Sequence, residues 1–162
     1  MALRWRELLV RWREVAILVG VLFAINVAGR WIAKSLKAEN SQALEDRKAL
    51  AGFIIIGVLG LVFMGVTIYW GRVRPFNRVG FDLGVSALAA CLLSVFIGPL
   101  TVGESPFANG AGAFFAQVWT WGGIAIGGTA LGYIVLVALA ADYRARQLKA
   151  FAERKKVVPK RV

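Results

Sequence analysis

The chain has 162 residues, 59% of them hydrophobic, with a formal net charge of +11, no histidine and one cysteine. Soluble domains sit near 45–50% apolar, so most side chains here need a solvent other than water, and lipid is the economical one. The missing histidines exclude a bis-histidine haem, a His-ligated zinc and a Ser-His-Asp triad, while Cys91 alone excludes an internal disulfide.

The N-terminus reads MALRWRELLVRWREVAILVG, with Arg-Trp-Arg-Glu at 4–7 and again at 11–14. Seven residues are almost two helical turns, so Trp5 and Trp12 share a face. Residues 1–14 are therefore expected to form a short amphipathic segment along the headgroup layer, indoles at the interface and arginines on phosphate. Docking of the two indoles on a partner protein is the alternative. The charged start resembles a signal peptide, but no A-x-A site follows 27–28, so the segment is expected to be retained.

Uncharged runs cover 15–29, 49–71, 83–103 and 105–141. A spanning helix needs roughly 20 apolar residues. The predicted fold class is an all-α integral membrane protein with four transmembrane helices, near 13–36, 45–71, 79–100 and 113–142. In the first, Arg30 is expected to snorkel to the headgroups. Asn26 packs by a hydrogen bond to a neighbour or lines a polar path. Asn40-Ser41 reads as a helix start, Arg74-Pro75-Phe76-Asn77 as a tight turn and Gly98-Pro99 as the end of the third helix. Ser105-Pro106 and Asn109-Gly110 mark an outer loop.

Lys and Arg number fifteen in the N-terminal segment, the 72–78 loop and the C-terminal tail, against five between Arg30 and Lys48. The positive-inside rule then places both termini in the cytoplasm. The domain reading is an interfacial segment, 1–14, a four-helix membrane domain, 15–142, and a basic tail, 143–162. The tail is expected to continue the last helix and to meet anionic lipid or a soluble partner. Two pairs four residues apart, Arg78/Asp82 and Asp142/Arg146, read as modest surface ion pairs.

Close packing is the clearest motif. The third helix carries Ser86, Ala90, Ser94 and Gly98 four apart; the fourth carries Gly123-xxx-Gly127 and Gly128-xxx-Gly132. Small residues let helix backbones approach within lipid, either inside the bundle or against another subunit. Trp5, Trp12, Trp31, Trp70, Trp119 and Trp121 are read as interface anchors. The stretch 101–123 has no basic residue and five aromatics. It is expected to lie in the aromatic belt, against a partner, or re-entrant around a ligand or pore.

No acid lies mid-span, which argues against self-sufficient proton coupling. The expected function is a non-catalytic accessory or structural subunit of a larger bacterial inner-membrane complex, respiratory, energy-transducing or transport. The alternative is a homo-oligomeric small channel or transporter lined by Asn26, the small stripe of the third helix and residues 101–113. An enzyme would have only Asp82, Glu104 and Tyr133 to work with, and no base–nucleophile pair. The expectation is no catalytic or metal residue and no cofactor of its own, with room for bound lipid, quinone or pigment. Expected partners are membrane lipids and other membrane subunits through helices three and four, not nucleic acid.

Overall fold

The computed structural model describes residues 2–37, 40–108 and 110–157, with side chains described for 12–37, 40–108 and 110–154. Trp5, with the rest of the first Arg-Trp-Arg-Glu unit, and Asn109 lie outside the described side chains. Among the described residues the fold is all helix, with no strand. The helices are α1 (Ala2–Ser35), α2 (Ser41–Gly71), α3 (Phe76–Leu92), α4 (Gly110–Ala138) and α5 (Tyr143–Val157). A π-helical turn, Leu93–Ile97, and a last α turn, Gly98–Leu100, prolong α3. Four helices are long and apolar enough to cross a membrane: Trp12–Ser35, Ser41–Gly71, Phe76–Leu100 and the one starting at Gly110.

The opening segment is not separate from the first span. No Gly or Pro interrupts the chain between Ala2 and Val19, and α1 runs unbroken for 34 residues. At 1.5 Å per residue that is about 50 Å, well beyond a hydrocarbon core of roughly 30 Å. α1 and the 31-residue α2 are therefore both longer than an upright span requires. Asn40 caps α2, its side-chain oxygen accepting from Ala43 N at 2.8 Å, which satisfies one of the orphan amides of the first turn. The α2–α3 turn is tight: the Val73 and Arg74 amides both donate to Trp70 O. Pro75 then opens α3 with an extended backbone.

The tail does not continue the last span. α4 stops at Ala138, and Ala140 takes a left-handed backbone, φ 46°. The Ala141 amide donates to Leu136 O and the Ala140 amide to Val137 O, both at 3.0 Å. This is the double bond of a Schellman cap. Asp142 then caps α5, accepting from Arg144 N and Ala145 N. Alanine is poorly suited to the left-handed position, which costs an L-residue about 1 kcal/mol relative to glycine. Ala140→Gly should therefore raise stability by about 1 kcal/mol, read as a higher melting temperature in detergent. An unchanged or lowered melting temperature would show that this cap is not formed.

α2 and α4 form the most extensive helix pair, and α1 packs on α3 and α2. The core holds Leu22, Leu59, Phe63, Val79, Ala90 and Leu136, all nearly inaccessible. Yet only 11% of the most apolar window of α2 is buried within the chain. Most of its apolar surface must meet lipid or another protein.

Candidate functional site

The small residues divide into two groups. Ser86, Ala90, Ser94 and Gly98 are buried inside the chain, where α3 and its extension meet α1. A Cβ on Gly98 would stand 2.8 Å from the Arg30 Nε. Gly128 and Gly132 face α2. A Cβ on Gly128 would lie 2.6 Å from Gly60 O, and one on Gly132 2.7 Å from Met64 O. The pair Gly123 and Gly127 has nothing within 4 Å of its added Cβ positions. α4 thus packs one of its two Gly-xxx-Gly pairs against α2 and leaves the other open.

The tryptophans divide too. Trp12, Trp31 and Trp119 are exposed on the surface, Trp119 at 80%, whereas Trp70 and Trp121 are buried at 4% and 3%. The latter two point into the bundle and are core residues rather than belt anchors. Trp70 lies under the Arg74 guanidinium, 5.2 Å from ring centroid to Cζ, and Trp121 belongs to the core cluster.

At the end of the bundle nearest the termini, three charges from three segments meet. Glu14, the last residue of the second Arg-Trp-Arg-Glu unit, accepts from Arg74 Nη2. Arg74 Nη1 also lies 3.6 Å from Asp82 Oδ2, and Asp82 is 2% exposed. Among the described residues the ion-pair partner of Asp82 is Arg74 from the turn, rather than Arg78. The expected Asp142/Arg146 pair is replaced as well: Asp142 caps α5, while Arg146 donates to Arg72 O at 3.4 Å. These bonds tie α1 at Glu14, the α2–α3 turn and the start of α5 together at one end.

The opposite end holds the second polar cluster. Arg30 turns toward the bundle. Its Nε donates to Asn26 Oδ1 and its Nη2 to Ser94 O, each at 3.1 Å. The reason is backbone accounting. In the π-helical turn the Gly98 amide reaches back to Leu93 O. The next amide in that register would serve Ser94 O, but residue 99 is proline and has no N–H. A buried carbonyl needs a donor, and Arg30 supplies it. Lys34 likewise donates to Val102 O, and Arg47 to Lys37 O at 2.9 Å. The aromatic loop folds onto the bundle at this end. Phe107 stacks on Phe114, 5.0 Å between centroids, and Phe114 meets Phe96 edge-on at 5.7 Å.

Two cavities flank these clusters. An apolar groove of about 520 Å³ opens between α3 and α4, floored by Gly84, Ala87, Cys91, Gly122 and Ala125. Free Cys91 is half-buried there. A polar cavity of about 380 Å³ lies between α1, α2 and α4, with Asn26, Arg30, Lys48, Gln117 and Thr120 on its walls. Neither cavity was legible in the sequence, because each depends on which faces of three helices converge.

The fold and these sites define an all-helical protein of the multi-pass membrane class, with four helices able to span. No family model, curated protein or solved structure matches the chain.

Proposed function

We propose that this chain is a non-catalytic membrane subunit that docks against another membrane protein through α3 and α4, in a plasma or bacterial inner membrane with both termini in the cytoplasm. The observation that carries this reading is the unused Gly123/Gly127 pair, open to its surroundings while its twin is packed to backbone contact on α2. Lipid gives little drive for helix association, so close approach through small residues is what binds spanning helices together. The neighbouring apolar groove, with its floor of Gly, Ala and Cys, offers room for a bulky side chain of a facing helix. In this orientation the 15 basic residues of the tails and the 72–78 loop lie against the cytoplasmic leaflet.

Gly127→Leu, introduced in the full chain, should abolish co-purification of heterologous subunits in mild detergent while the yield and melting temperature of the chain itself stay unchanged. Unchanged co-purification in Gly127→Leu and Gly123→Leu would contradict the reading. The second reading, a homo-oligomeric channel or transporter, is favoured by the polar cavity at Arg30. It requires flux in vesicles containing this chain alone.

A further inference from the structure

The polar cavity between α1, α2 and α4 has no role in that docking. Its donors are in surplus. A guanidinium carries five N–H groups, and Arg30 spends two of them, on Asn26 and Ser94. The other three have no protein acceptor among the described residues. Lys48 stands on the opposite wall, and the Gln117 amide and Thr120 hydroxyl belong to α4. Two acids lie near. Glu45 pairs with Lys48 at 3.4 Å, on an exposed surface, and the charge of Glu104 reaches Arg30. Neither acid lines the cavity.

Depth decides what such a cavity faces. Arg30 lies five residues before the end of α1 and Lys48 seven after the start of α2, which is about 8 and 10 Å along the axes. Both helices overrun the hydrocarbon, so these cations stand near the headgroup level. Away from the polar wall the lining turns apolar, with Ile55, Leu59 and Ile124. A charged, donor-rich mouth above an apolar wall is the profile of a phospholipid: phosphate above, acyl chain below.

We propose that this cavity binds the phosphate of an anionic phospholipid, held by Arg30 and Lys48, with the Gln117 amide as a neutral donor and the first acyl carbons along Ile55, Leu59 and Ile124. Guanidinium and phosphate match in charge and geometry. A free phosphate ion would satisfy the donors but leave the apolar wall empty, so the lipid is the occupant.

The test uses the full chain in mild detergent, delipidated and then offered phosphatidylglycerol or phosphatidylcholine of matched chains, with retained lipid read by native mass spectrometry. One phosphatidylglycerol per chain should be retained, roughly tenfold in preference to phosphatidylcholine: the phosphates are alike, but the choline ammonium brings a further positive charge beside Arg30 and Lys48. Lys48→Gln should reduce that preference to roughly threefold or less. Arg30→Gln also removes the donor to Ser94 O, so Lys48→Gln and Gln117→Leu, which leave that bond in place, keep the test independent of folding. Equal retention of the two lipids, or an unchanged preference in Lys48→Gln, overturns the proposal. Displacement of the lipid by millimolar inorganic phosphate overturns the assignment to a lipid. Persistence of the lipid in phosphate supports it.

Discussion

Gly128→Ala should destabilise the chain by about 2 kcal/mol, while Gly127→Ala, one residue away, should leave it unchanged or slightly more stable. Both substitutions gain the same helix propensity, about 1 kcal/mol at most, so their difference isolates the contact. At Gly128 the new methyl meets Gly60 O at 2.6 Å and Phe63 Cβ at 2.8 Å. Backbone and Cβ atoms cannot rotate away, so α2 and α4 must separate, and overpacking of this kind costs about 1–3 kcal/mol. At Gly127 no atom lies within 4 Å. Gly132→Ala should behave like Gly128→Ala, because it meets Met64 O at 2.7 Å. Reversible unfolding in mixed micelles measures all three. Equal effects at 127 and 128 would mean that α4 presents a different face to α2.

Arg74→Met should be the most damaging single change at the termini end, with a loss of about 3–5 kcal/mol. Among the described residues Arg74 pairs with both Glu14 and Asp82. Its removal leaves the carboxylate of Asp82, 2% exposed, without that charge in a site water does not reach, and breaking a buried pair has this order of cost. The contact of the guanidinium with Trp70 is lost as well. Arg74→Lys should recover less than half, since one ammonium cannot span two carboxylates and an indole. Arg78→Met, on the exposed face, should cost less than about 0.5 kcal/mol. Chemical unfolding of the three variants decides. A loss at 78 equal to that at 74 would contradict the pairing.

The sequence carried the number of spanning helices and most of their limits, because long uncharged runs and a cap such as Asn40 are local signals. Register and partnership were less legible. Gly123/Gly127 and Gly128/Gly132 are identical motifs five residues apart, so they lie on faces about 140° apart, and only the placement of α2 tells them apart. Asp82 has a cation four residues before it, and local spacing favours that Arg78. The cation beside Asp82 among the described residues is Arg74 from the turn, which also binds Glu14, 60 residues before Arg74. Trp70 and Trp121 look like belt residues because a span-end tryptophan has the same neighbours in sequence whether it faces lipid or core. Arg30 invited a snorkelling reading. Its inward bond depends on the carbonyl that Pro99 leaves without a donor, which requires knowing that α1 and the π-helical turn touch. The break at Ala140 had no signal, since alanine is an ordinary helix former.

The proposed threading puts the basic ends in the cytoplasm and the Arg30 cavity at the opposite face, with α4 between them. Single cysteines at Ser105 and Gln147, each in a Cys91→Ala background, test it most directly through a membrane-impermeant maleimide applied to intact cells. The account predicts labelling of Ser105→Cys in intact cells and of Gln147→Cys only after permeabilisation. Labelling of Gln147→Cys in intact cells, with Ser105→Cys protected until lysis, would contradict it.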